Sequence, residues 1–300
     1  MDLQSDGYND LYQKMNHQEL SFFRVRTREK SDTTDISQIQ HILHLPYEKK
    51  SFASNMRFSC LGMPCLYLGT TSYVCSRECE WNPEKEDLFA AAFIPNEQGD
   101  RLKILNLTIS QALINGIYNQ LFDENDLRKR LQLSMLKLFP LVIATSYRVL
   151  ETGRTLKYEY LISQALMKVI STMNIDGIAY LSMKGKNEFQ YPHGVNLALP
   201  AFDISESNAY SKYCKMFDVT PPVLFDSQIT NGKESYINTV YTKTDADGQD
   251  SFMAKVDIDG QHKFYGDTIY ADFDNFLVSC NKNLPYDRAA AAIQKNNFKK

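Results

Sequence analysis

Residues 56–69 run Met56-Arg57-Phe58-Ser59-Cys60-Leu61-Gly62-Met63-Pro64-Cys65-Leu66-Tyr67-Leu68-Gly69. Gly62 and Pro64 punctuate a loop, and Cys65-Leu66-Tyr67-Leu68 behind them is a short apolar run suited to a buried strand. Thr70, Thr71 and Ser72 follow at once. Hydroxyl residues in that position cap a helix, here predicted over roughly 72–80. Val74 and Glu78 lie four apart on it and share a face. A loop, a buried strand and a capped helix bearing an inward carboxylate point to an α+β fold.

Working outward, residues 20–26 (LSFFRVR) read as a strand ending in two arginines, Arg24 and Arg26. Residues 27–56 are polar around an apolar patch at 41–45, a long loop with a short helix. Residues 1–19 are polar and read as a loose N-terminal arm or a short helix. Downstream, 101–108 (RLKILNLT) alternates like a strand. Helical patterns follow at about 109–122, 126–138 and 141–148, with Pro140 expected to break the last two. Residues 158–173 make an amphipathic helix with Leu161, Ala165, Leu166, Val169 and Ile170 on its apolar face. Asp176-Gly177 turns into a strand over 178–181, and a polar loop over 183–194 leads to a strand over 195–199. From 206 the helical texture fades. Asp247-Gly248 and Asp259-Gly260 are hairpin signals, so 206–300 is expected to be largely β, with a polar tail from about 288. Asp245, Asp247 and Asp250 lack the closing Glu of a calcium loop, and turn chemistry is the preferred reading.

The bulk numbers exclude several classes. The chain has 300 residues, 43% hydrophobic and 23% charged, an ordinary globular composition. Its formal net charge is −3 and it has no long basic run. Arg128-Lys129-Arg130 fits a solvated helix face, so no nucleic-acid partner is expected. One or two arginines still suffice for a small anion. The longest apolar run, 138–145, is too short to span a membrane. The polar N-terminus does not read as a signal peptide, and none is expected. Six cysteines at 60, 65, 75, 79, 214 and 280 form no CxxC pair. Free thiols in a reducing cytoplasm are expected, with no metal site.

Singly, Arg57, Glu78 and Ser182 each read as readily as structural residues. Together with their surroundings they carry a resemblance. The segment FFRVR (22–26) is followed in order by MRFSCLGMPCLYLGTTSYVCSRECEW (56–81), YLISQALMKVISTMNIDGIAYLS (160–182) and VNLAL (195–199). This order resembles the RES-domain family, named for an arginine, a glutamate and a serine. The resemblance covers about residues 20–202 and implies an N-terminal arm (1–19), a RES domain (20–205) and a β-rich extension (206–300). It implies an ADP-ribosyltransferase-like core of short, mainly antiparallel strands with helices. Ser59 stands where many relatives have Asn, Met183 where they have a second Ser, and the 183–194 loop is long.

The activity implied is degradation of NAD at the nicotinamide–ribose bond, by phosphorolysis or hydrolysis, with no cofactor beyond substrate. The alternatives are ADP-ribosyl transfer to a macromolecule and a non-catalytic RES-like binding module. Many family members are toxins checked by a small helix-turn-helix antitoxin. Such a partner is implied, and a homodimer is left open. Arg57, Tyr67, Glu78 and Ser182 take the family's site positions, and Arg24 the earlier strand arginine.

The chemistry suits those residue types. Nicotinamide leaves NAD neutral, so no acid must protonate it, and positive charge develops on the ribose. A fixed carboxylate favours that transition state, the role expected of Glu78. Arginine forks match phosphate oxygens, the role expected of Arg57 and Arg24. Tyr67 offers a ring for the nicotinamide and a hydroxyl for an acceptor. Ser182 offers a donor to a phosphate or to the nicotinamide amide, or closes a turn. Glu80, two residues along the helix from Glu78, is expected to point away from it. His193 is read as an exposed loop residue.

Overall fold

The computed structural model describes residues 21–108, 125–151, 153–154, 156–184, 193–225, 255–258 and 261–280. The expected arm over 1–19, the helix over 109–122, the turn residues Asp247-Gly248 and Asp259-Gly260, the aspartates 245, 247 and 250 and the tail from 288 lie outside these residues.

Aliphatic and aromatic runs bounded by turn residues build one mixed sheet. Its strands are β1 (Phe22–Glu29), β2 (Cys65–Gly69), β3 (Glu86–Pro95), β4 (Ile104–Leu107), β5 (Gly177–Leu181), β6 (Val195–Pro200) and β7 (Phe217–Val219). Their order across the sheet is β4-β5-β6-β2-β1-β3-β7, and β8 (Val223–Leu224) also pairs with β3. All neighbours run antiparallel except β4 and β5, which are parallel. The molecule is therefore α+β, as the strand and helix signals predict. A separate hairpin joins β9 (Lys255–Ile258) to β10 (Gln261–Phe264).

Strand alternation sorts the core onto two faces. Phe22, Leu66, Leu68, Leu197, Leu199 and Phe93 pack together on one face with Ile42 and Leu43. On the other face α1 (Ser72–Glu78) and α4 (Ile269–Ser279) cover Phe23, Val25, Ala90 and Ala92. Beside them α2 (Asn125–Thr145) and α3 (Leu161–Thr172) cover Leu105, Ile178 and Ala198.

The strand β1 pairs with β3 over its whole length, Phe22↔Phe93 to Glu29↔Glu86. Against β2 the register holds only at Phe23↔Gly69. The sheet is thus split between β1 and β2. The helix α1 starts at this junction: Thr71 caps it by accepting the Val74 amide at 3.1 Å and donates to the His193 carbonyl at 2.9 Å. Gly69 lets α1 approach. A Cβ there would lie 2.5 Å from Cys75 Sγ and 2.6 Å from Val74 Cγ1.

Three expectations are corrected. Pro140 does not break a helix, because α2 runs through it from Asn125 to Thr145. A proline inside a helix costs about 3 kcal/mol. Burial of Leu138 and Val142 against Met167 and Ile170 offsets this, and Pro140 itself faces solvent. The buried face of α3 is Ser163, Met167 and Ile170; of the face drawn from periodicity Ile170 is buried and Leu166 packs beside it, while Leu161 and Val169 are half exposed. The largely β expectation for 206–300 misses α4. Its buried residues are Ala271, Phe273, Asp274 and Leu277, and an aspartate in the buried stripe conceals the helical period.

Candidate functional site

The split between β1 and β2 opens into a cavity of about 540 Å³. Arg24, Arg57, Tyr67 and Glu78, all singled out in the sequence, line it together. Ser182 does not line it, but its hydroxyl donates to Glu78 Oε1 at 2.6 Å.

Glu78 is the last residue of α1. Its Oε1 also accepts from Asn196 Nδ2 at 2.7 Å. One oxygen is thus clamped by β6 and by the end of β5, while Oε2 takes no hydrogen bond from the described residues. Two charge-assisted bonds to a single oxygen fix the carboxylate. Ser182 in turn accepts the Lys184 amide at 3.3 Å, so it positions the carboxylate from behind. Asn196 was visible only as part of the VNLAL run. Its period marks it as half of a strand and says nothing of its partner.

Arg24 is half-buried, and desolvation, helped by nearby Arg26, pulls its guanidinium down to about 9. No carboxylate lies within 4 Å of it among the described residues. Its Nη1 donates to the Tyr67 carbonyl at 2.7 Å across the split, and its Nε has no partner. Arg26, the second arginine of the same strand, lines the same cavity. It donates to the carbonyls of His41 and Leu43 at 3.2 and 3.1 Å.

Arg57 sits opposite. Its Nη1 donates to the carbonyls of Thr145 and Tyr147 at 2.8 and 3.0 Å, and its guanidinium lies 5.0 Å from the Tyr160 ring centre. Thr145 closes α2, where a cation meets the negative end of the helix. Gln164 of α3 pins the Arg57 loop by donating to the carbonyls of Met56 and Ser59 at 2.9 and 3.3 Å.

Tyr67 corrects one expectation. Its hydroxyl donates to Ser59 Oγ at 3.1 Å and accepts the Phe58 amide at 3.1 Å. Burial pushes the phenol well above its ordinary value. The hydroxyl is committed to the protein, which leaves the ring to face a ligand. His193 is 1% exposed and stacks on Tyr265 at 4.8 Å, so it is a core residue and not an exposed one.

Glu80 corrects another. The helix ends at Glu78, and Glu80 turns left-handed with φ 54°. The Trp81 amide bonds to the Ser76 carbonyl and the Glu80 amide to the Arg77 carbonyl, both at 3.1 Å. This is the paired closure in which glycine is usual. A side chain there costs roughly 1–2 kcal/mol. The turn brings Glu80 back to the cavity, where it pairs with Lys184. The angle expected along a continuing helix therefore does not apply.

The cavity holds six cationic side chains, Arg24, Arg26, Arg57, Arg148, Lys157 and Lys184, against two carboxylates. In a chain of net charge −3 this local excess draws anions. No group of three or more His, Cys, Asp or Glu that could hold a metal occurs among the described residues. No helix among them is long and apolar enough to cross a membrane.

Fold and site together define an α+β protein whose split mixed sheet holds a fixed carboxylate in a cationic cleft. No family model matches the chain, and no solved structure matches it. The chain is similar to a protein of Bacillus subtilis (strain 168) named "Putative toxin YopC", at 28% identity over 212 residues. That match covers 69% of this chain and 46% of the Bacillus protein, so the chain spans about half the length of the curated relative it matches.

Proposed function

We propose that this chain is a RES-type, ADP-ribosyltransferase-like enzyme that cleaves the nicotinamide–ribose bond of NAD in a toxin-like role. One observation carries the proposal. A carboxylate clamped by Ser182 and Asn196 shares a cavity with Arg24, which has no carboxylate within 4 Å among the described residues. The similarity to a protein named as a toxin supports the biological setting.

In this reading the diphosphate supplies the anion Arg24 lacks, and Arg57 holds its other side. The ring of Tyr67 packs on the nicotinamide. The C1′–N1 bond breaks, its electron pair stays on N1, and nicotinamide departs neutral. Glu78 stabilises the cation left on the ribose, an interaction stronger in the transition state than in the ground state. An acceptor oxygen then bonds to C1′, and a protic acceptor gives its proton to solvent. The cavity volume lies within the roughly 300–1,000 Å³ usual for small-molecule sites.

The test is to incubate the chain with NAD, with and without inorganic phosphate, and identify the products. Free nicotinamide with ADP-ribose 1″-phosphate, or with ADP-ribose, supports the proposal. ADP-ribose left on a macromolecule would move the activity to a transferase. Absence of free nicotinamide in every arm would sink it.

A further inference from the structure

A second cavity of about 530 Å³ adjoins the first. Tyr73, Ser76, Arg77, Trp81 and Tyr270 contribute to its lining, and Glu80 and Lys184 belong to both cavities. The Glu80–Lys184 ion pair is therefore the partition between them. Successive residues on a helix point about 100° apart, so the last turn of α1 presents Glu78 to one cavity and Arg77 to the other.

The walls of the second cavity are rings held in place. The Trp81 indole N–H donates to the Glu86 carbonyl at 3.0 Å, which commits its polar atom and leaves its ring to a ligand. Trp81 meets Phe225 edge-on at 5.6 Å, and Phe225 stacks on Tyr270 at 5.2 Å. Tyr270 meets Tyr73 edge-on at 4.9 Å. Fixed aromatic walls beside an exposed guanidinium suit a flat heteroaromatic ring attached to an anion. At the partition, Lys184 already holds a carboxylate oxygen, and a phosphate oxygen suits the same ammonium.

We infer that the second cavity is an adenine subsite, in which the adenosine end of the dinucleotide stacks among Trp81 and Tyr270 while the adenosine-side phosphate of its diphosphate meets Lys184 at the partition. This rests on the NAD reading above, and extends it to the end of the substrate that does not react. Arg77 lies on the adenosine side and Glu78 on the ribosyl side of one ligand.

Trp81 is the only tryptophan of the chain, so its emission reports on this cavity alone. The experiment titrates the full chain with AMP, with nicotinamide mononucleotide and with NAD, reading fluorescence and NAD cleavage. AMP and NAD are expected to quench Trp81 saturably, nicotinamide mononucleotide is not, and AMP is expected to compete with NAD. Arg77→Ala should weaken AMP about tenfold and raise the KM for NAD by a similar factor, the loss falling on KM more than on kcat. Unchanged emission with AMP, or unchanged AMP affinity in Arg77→Ala, overturns the subsite, as does inhibition by AMP that NAD cannot relieve. Cleavage of NAD without AMP quenching rejects the subsite alone. AMP quenching without any cleavage rejects the catalytic reading, and leaves a nucleotide site at Trp81.

Discussion

The carboxyl group of Asp274 accepts the backbone amide of Ser72 at 3.1 Å, across 202 residues of sequence. It also accepts the Tyr265 hydroxyl at 2.7 Å. Ser72 opens the helix that ends in Glu78, so the C-terminal helix α4 holds the start of the element that carries the candidate carboxylate. Burial pushes Asp274 from 3.8 up to about 7.

That shift sets a pH dependence. Between about pH 4 and 7 the unfolded chain has released the Asp274 proton and the folded chain keeps it. Stability from this group is therefore complete below the unfolded value and declines as pH rises towards 7. At 1.36 kcal/mol per unit, a rise from 3.8 to about 7 corresponds to at most on the order of 4 kcal/mol. Asp274→Asn should remove this slope, which denaturant unfolding of both proteins from pH 4 to 8 measures. Parallel stability profiles for the two proteins would contradict it.

Arg24→Met should separate stability from binding. It removes a half-buried cation with no carboxylate within 4 Å among the described residues, whose desolvation costs up to several kcal/mol. It also loses the bond to the Tyr67 carbonyl, worth about 1.5–3 kcal/mol. A net stabilisation of about 1 kcal/mol is expected, with loss of the thermal shift that excess NAD produces. Destabilisation by more than about 2 kcal/mol would make Arg24 a strut between β1 and β2.

Glu78→Gln keeps the size of the side chain and removes its charge. Turnover of NAD should drop by about 10²–10³, with the unfolding midpoint nearly unchanged. Ser182→Ala should act in the same direction and more weakly, because the Asn196 clamp on Glu78 remains. Nicotinamide release by each variant is the measurement, and full activity in Glu78→Gln would remove the carboxylate from the chemistry.

Glu80→Gly relieves a left-handed φ of 54°. The ion pair it gives up is partly exposed, and such pairs contribute about 0–1 kcal/mol. A net gain of about 1 kcal/mol is expected, read by chemical denaturation. A net loss would show that the Lys184 pair outweighs the strain.

Gly69→Ala should destabilise the fold by about 1–3 kcal/mol through overpacking, since its Cβ would meet Cys75 and Val74. Recovery in a Gly69→Ala, Val74→Ala double variant would place the clash at α1. No recovery would leave Cys75 Sγ, the nearer atom, as the clash.

Local pattern alone placed β1, β2, the Thr71 cap, β5 and β6 within a few residues, because alternation, caps and turn residues act over short stretches of chain. The resemblance to the RES-domain family, and not local pattern, brought Arg24, Arg57, Tyr67 and Glu78 forward as a set. What local pattern did not reach depends on partners distant in the chain. Which face of α3 is buried is decided by β5 and α2, so Ser163 goes in and Leu161 stays out. The role of Ser182 is decided by a carboxylate 104 residues away, and the approach of Glu80 by a turn closed on Ser76 and Arg77. Residue type and spacing set local conformation. The meeting of side chains from separate strands follows from where the sheet splits, and only the assembled sheet decides that.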